Sequence, residues 1–282
     1  MSKRRAAAAI AVALGLGLTG AGVSAQDWSK VRIATEGAYP PWNATDSSGQ
    51  LVGFEIDLAK DLCERMQVEC EIVAQDWEGI IPALQAGKYD AIMAGMSITE
   101  ERQKVINFSD SYRTTPAKFA VLKDSDLTEA GLPTDTIDLS TVDPEDDQTI
   151  EAVRTALEGM TVGVQTATIH QNFLEQYLGD TVEIRRYDTQ ENLDLDLQAG
   201  RIDAALADMG YWIPLMETEK GADFTLVGPG FSKGLFGEGV GVGLRKEDED
   251  LREMFNQAIA SAKEDGTISE LGQQWFGFDS GA

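Results

Sequence analysis

The sequence predicts an α/β protein folded as two lobes, and two observations carry that expectation. From Val31 onward, short β-branched runs alternate with amphipathic ones, the order of buried parallel strands and crossover helices. The unit LQAGKYDAIMAGM, starting at Leu84, also returns as LQAGRIDAALADM, starting at Leu197. In each copy a helix ends on LQAG, whose glycine supplies a left-handed cap, and a strand begins at once. One such unit per lobe accounts for the repetition.

Taken in order, VRIAT reads as a strand, FEIDLAKDLCERM as a helix, ECEIVAQ as a strand, WEGIIPALQAG as a helix, YDAIMAG as a strand and TEERQKVINF as a helix. The pattern then restarts. TVGVQ is a strand, IHQNFLEQYL a helix, VEIRRY a strand, NLDLDLQAG a helix, IDAALA a strand, YWIPLMETEKG a helix, and FTLVG follows. Between the two series, residues 123–159 are rich in Asp, Thr and Pro, and no strand pattern holds there. Within them PEDDQTIEAVRTALEG has Pro144 and acidic residues in a first helical turn and a stop at Gly159. This stretch reads as a surface insertion without chemistry. FSKGLFGEGVGVGL holds too many glycines for a plain strand and suits a crossing back to the first lobe, after which two helices close the chain. The expected division is 26–115 with 238–282 for lobe 1 and 116–237 for lobe 2.

Residues 1–25 read as a cleaved export signal: Lys3, Arg4 and Arg5 precede the apolar run Ala6 to Leu18, and Val23-Ser24-Ala25 forms a small-residue cleavage site. The apolar run falls short of the roughly 20 residues that span a bilayer. Without the signal, 20 Lys and Arg face 48 Asp and Glu, a net charge of −28. Such a field makes nucleic acid and anionic membranes poor partners and attracts cations, although an acidic solvated surface explains it equally. Cys63 and Cys70, an even pair in a chain bound for an oxidising compartment, are expected to form a disulfide. Two thiols and one histidine, His170, make a poor metal site. No cofactor is expected.

In open α/β sheets, ligands sit beyond the carboxyl ends of the strands, so a cleft between two lobes gathers both sets of strand ends. The candidates lie there. In SITEER, Thr99 is placed to cap a helix that Glu100 and Glu101 enter, and Arg102 is oddly placed for the helix dipole. It forms either a structural salt bridge or, with helix N-terminal amides, a seat for a carboxylate. Asp208 follows a buried apolar run and is either a helix cap or a counter-ion. Tyr39, Trp77 and Glu36 follow strands of the first series, where aromatics are usually core and an acid is usually solvent-exposed.

ATEGAYPPW, GFEIDLAKDLCERM, DWEGIIPAL, YDAIMAGMSITEERQ, VGVQTAT, RIDAALAD, GVGLRKED and DGTISELGQQWF together resemble the periplasmic polar amino-acid-binding proteins of ABC importers. The resemblance covers nearly the whole chain after the signal and is strongest to the lysine/arginine/ornithine-, histidine- and octopine/nopaline-binding branch. It implies two Rossmann-like lobes joined by a two-stranded hinge, the type II periplasmic-binding-protein fold. It implies a monomer in the periplasm that captures a basic L-amino acid, arginine, ornithine or lysine, and delivers it to an inner-membrane ABC permease, without catalysis. Arg102 would then hold the ligand α-carboxylate with the helix start at Thr168 and Ile169, and Ser97 and Asp208 the α-ammonium. Tyr39 and Trp77 would sandwich the side chain, and Glu36 face its distal charge. Ala94 and Gly95, where basic-amino-acid binders often have serines, resemble opine binders instead. His170, beside the second anion contact, is either structural or a ligand residue. An opine-binding protein and a dehydratase on the same scaffold are the rival readings.

Overall fold

A computed structural model describes residues 28–278, so the export signal expected at 1–25 lies outside the described residues. Two sheets organise the chain. The first runs in the order Glu69–Ala74, Lys30–Thr35, Ala91–Ile92, Gly243–Leu244, Asn107–Phe108. Its first three strands are parallel, and Gly243–Leu244 lies antiparallel to both neighbours. The second runs Glu183–Tyr187, Thr161–Gln165, Ala204–Asp208, Ala117–Leu122, Phe224–Ser232, Thr136–Asp138. Again the first three strands are parallel and the fourth is antiparallel. In each sheet the first of the three parallel strands therefore lies between the second and the third, and the antiparallel neighbour of the third comes from later in the chain in the first sheet and from earlier in the second.

The repeated unit is the same construction twice. Gly87 and Gly200 both adopt left-handed backbone, with φ of 73° and 63°, where a side chain would be strained. The aspartate that follows plays one role in both lobes. Asp90 accepts the backbone N–H of Arg32 at 3.0 Å, and Asp203 accepts that of Thr161 at 2.7 Å, each tying the third strand to the start of the first. Asp90 also receives Arg32 and Arg245 side chains, which hold its carboxyl below the usual range against the opposing effect of burial.

Two chain segments cross between the lobes and pair with each other. The Tyr112 N–H donates to Val240 O at 2.9 Å, Val240 N–H to Arg113 O at 2.8 Å, and Ser109 N–H to Val242 O at 2.9 Å. This is the expected two-stranded hinge. Behind it the guanidinium of Arg113 lies 4.0 Å from the Phe276 ring centre, so the closing helix Thr267–Phe276 packs onto the crossing.

Cys63 and Cys70 are bonded, linking the helix Phe54–Met66 to the edge strand Glu69–Ala74. The insertion at 123–159 departs from its reading: Thr136–Asp138 is a strand, in parallel register with Gly230–Ser232. One buried apolar residue, Ile137, suffices to seat an edge strand of three, too short to leave a periodic pattern in sequence. The helix Pro144–Ala156 is as expected, with Asp143 and Asp146 forming a capping box. The helix opening at Ile169 passes into a π-helical turn, Leu174–Leu178.

Candidate functional site

All eleven residues singled out in the sequence line one cavity between the lobes, where Gln165 and Gln190 join them. Lobe 1 contributes Glu36 from just beyond its first strand, Trp77 beyond its second, and Ala94, Gly95 and Ser97 beyond its third. Lobe 2 contributes Gln165 at the end of its first strand, Gln190 beyond its second and Asp208 at the end of its third. Strand order alone thus brings together residues as far apart in sequence as Glu36 and Asp208.

The walls touch across the cleft. The Tyr39 hydroxyl donates to Asp208 Oδ2 at 3.0 Å, and its ring stacks on Tyr211 with centres 4.7 Å apart and planes 14° from parallel. Burial, reinforced by the Asp208 charge, holds this hydroxyl protonated well above the ordinary range of tyrosine. Gln165 donates to Glu36 Oε1 at 2.7 Å and Trp77 Nε1–H to Ala167 O at 3.2 Å. Burial pushes Glu36 up to about 7, opposed by the Gln165 bond and reinforced by Asp76 and Glu55.

Arg102 forms no ion pair of 4.0 Å or less among the described residues, so the salt-bridge alternative has no partner there. Its guanidinium donates to Ser97 O at 3.0 Å and lies 5.2 Å from the Trp77 ring centre. Burial pushes it down to about 10, with Glu101 and Asp208 opposing, so it stays charged at neutral pH. Thr99 caps the short helix Glu100–Gln103 by accepting the Arg102 N–H at 3.2 Å, which fixes the residue that carries the cation. Opposite, Thr168 caps the helix from Ile169 by accepting Gln171 N–H at 3.1 Å.

Asp208 occupies an N-cap position but makes no capping bond; its carboxylate turns into the cleft. His170 is buried, its Nε2 is 3.5 Å from Asp208 Oδ1, and that nitrogen lacks a well-formed hydrogen bond. The expected aromatic sandwich is modified. Tyr39 spends one face on Tyr211, and Trp77 lies over the Arg102 guanidinium, so the two rings have partners of their own. Nothing in the sequence shows Tyr211 opposite Tyr39, because the stack forms only when the lobes face each other.

Gln165 and Gln190 were missed. Gln165 had a signal: a polar residue closing the buried run TVGVQ, as Glu36 follows VRIAT, at the height where ligands sit. Gln190 opens a helix and resembles any polar residue there.

Two similar lobes with opposite charges facing across a hinged cleft define a two-lobed, type II solute-binding protein. The chain belongs to the bacterial extracellular solute-binding proteins, family 3, which it matches over residues 31–278. It is 43% identical over 277 residues to the octopine-binding periplasmic protein of Rhizobium meliloti, covering 92% of this chain and 94% of that one. It is 35% identical over 252 residues to the L-arginine-binding protein of Pseudomonas aeruginosa, covering 88% of each. Among solved structures, a periplasmic His/Glu/Gln/Arg/opine family-binding protein from Silicibacter pomeroyi in complex with lysine superposes with a TM-score of 0.71 at 35% identity, covering 89% of this chain and 99% of that one. These relatives are binding proteins, two of them named as periplasmic. Among the described residues no helix is long and apolar enough to cross a membrane.

Proposed function

We propose that this protein captures a basic L-amino acid, with arginine, ornithine and lysine as the candidates, in the interlobe cleft of an exported monomer and presents it to an inner-membrane ABC permease. The observation that carries the reading is the placement of Arg102 on one wall and Asp208 on the other of a single cavity, with Glu36 also in its lining. An α-carboxylate seated on Arg102 and the first-turn amides at Thr168 and Ile169 touches both lobes at once. An α-ammonium at Asp208, beside Ser97, completes the head group, and Glu36 takes the distal cation. Contacts to both lobes favour the closed over the open state, and that shift is the working step. Arg102, Ser97 and Asp208 committed to an amino acid's two head-group charges, and Glu36 to its distal cation, support binding over dehydratase chemistry.

A screen of refolded, ligand-free protein by thermal shift and calorimetry tests this. Basic amino acids at a hundred times Kd should add about 2.7 kcal/mol of stability, and no response to any of them would sink the reading. Octopine is the second reading, favoured by the 43% identity to an octopine-binding protein and by Ala94 and Gly95 on the cavity wall. Tighter binding of octopine than of any amino acid selects it.

A further inference from the structure

Behind the cavity wall, and outside its lining, sits a fully buried carboxylate. Glu55, the second residue of the helix Phe54–Met66, has no exposed surface. Three donors hold it, all neutral. The Gly95 N–H is shared between Oε1 at 2.7 Å and Oε2 at 3.0 Å, the Asn43 amide donates to Oε2 at 2.7 Å, and the Tyr112 hydroxyl donates to Oε1. Burial raises the carboxyl above its usual range while these bonds oppose it.

Each donor belongs to a different part of the binding machinery. Gly95 lines the cavity in left-handed backbone, at φ 61°. Asn43 accepts the Gly37 N–H at 2.8 Å and so fixes the turn that carries Glu36 and Tyr39. Tyr112 lies in the first hinge crossing, and its N–H pairs with Val240 of the second. Burying an anion without a cation is costly, and packing alone at this place needs only an apolar side chain. A carboxylate, with two acceptor oxygens, can join all three donors at once; the Gly95 N–H and the Asn43 amide need acceptors, whereas the Tyr112 hydroxyl can also accept.

We propose that Glu55 is a positioning residue that couples the cavity wall to the hinge, holding the Gly95 and Gly37 turns and the Tyr112 crossing in one register, so that ligand affinity depends on it without contact. Its effect on affinity rests on the binding function proposed above. Its effect on the turns does not.

The test uses Glu55→Gln, which replaces one of the two acceptor oxygens with an amide donor, and Tyr112→Phe, which removes only the hinge-side bond and preserves shape. In ligand-free protein, exchange of the Gly95 amide should accelerate at least about ten-fold in Tyr112→Phe, although that residue does not touch Gly95, and further in Glu55→Gln. Calorimetry at 25 °C should show L-arginine, or octopine if wild type prefers it, bound about five-fold more weakly by Tyr112→Phe and at least about ten-fold by Glu55→Gln. The double variant should lie within about two-fold of Glu55→Gln, because members of one network do not add. Wild-type affinity with only a lowered melting point makes Glu55 structural and overturns the proposal. Unchanged Gly95 exchange in Tyr112→Phe, or losses that multiply, overturns it too. If wild type binds neither ligand, the proposed function fails, and Gly95 exchange alone decides the coupling.

Discussion

Tyr39 and Asp208, one from each lobe, meet at 3.0 Å with the tyrosine hydroxyl as donor. The acid proposed to receive the ligand's ammonium thus also holds the facing lobe, and Nε2 of His170 stands 3.5 Å from its other oxygen. On the proposed reading, binding and closure are the same event at Asp208. Asp208→Asn should weaken L-arginine by about 10- to 100-fold, the worth of one charge-assisted hydrogen bond, while sparing octopine, whose secondary amine has fewer protons to give and whose extra carboxylate the aspartate repels. Calorimetry with both ligands on the variant checks this; equal losses would refute the assignment.

Arg102→Ala should remove measurable binding of every α-carboxylate ligand. The fold should survive, since Arg102 gives its neighbours one side-chain hydrogen bond, to Ser97 O. Arg102→Lys should recover little, because an ammonium lacks the planar fork that meets both carboxylate oxygens. A full thermal shift with L-arginine in the alanine variant would rule Arg102 out as a contact.

Glu36 gives binding a pH dependence with a definite sign. Burial lifts its folded value from 4.5 to about 7, so between those limits the folded protein holds more protons than the unfolded chain. Ionising it therefore costs stability as the pH rises through that window. A cation at the far end of the ligand favours the ionised form, so binding should release a proton near pH 6 to 7 and tighten as the pH rises from 5 to 8. Calorimetry in two buffers of different ionisation heat measures the proton, and Glu36→Gln should abolish the difference. Asp194, itself outside the lining and also raised to about 7 by burial, accepts from Gln190 and Tyr211 and should keep its own titration in that variant.

Replacing Cys63 and Cys70 by serine should lower stability by about 2–3 kcal/mol, the loop-closure contribution of a short ring, and leave affinity unchanged. The bond lies between the helix Phe54–Met66 and an edge strand, away from the cavity lining. Denaturant unfolding and a binding titration of the same variant separate the two effects.

A chain of net charge −25 repels itself, and added salt screens that repulsion. Raising sodium chloride from about 0.05 M to 1 M should increase the melting point by several degrees. A melting point that falls with salt would mean that the ion pairs outweigh the excess acid.

The two-lobed plan was legible because LQAG-x-x-DA writes a helix cap, a strand start and a strand-tying aspartate in a few residues, and writes them twice. The cavity lining was legible because ligand-facing residues follow strand ends, which the resemblance located at Arg102, Asp208 and Tyr39. The Tyr39–Tyr211 stack and the Glu55 network were not. Glu55 in FEIDLAK looks like the acid of any first helical turn, and its burial depends on Gly95, Asn43 and Tyr112 arriving from three distant segments. The strand Thr136–Asp138 was hidden by its shortness.

Counting from Ala91 and Ala204, which open the corresponding strands of the two sheets, Gly95 and Asp208 fall at the same step of the repeated unit, facing the cavity from opposite lobes. The two walls are thus near copies that differ where a solute meets them: a bare backbone turn on one, an anion on the other. A solute that keeps only one of the two head-group charges, such as a decarboxylated or deaminated arginine, would satisfy one wall and leave its twin unanswered. It should lodge in the open jaw as a poor competitor that leaves the jaw ajar, and this likeness with one discordant position is what makes the cavity a two-key lock.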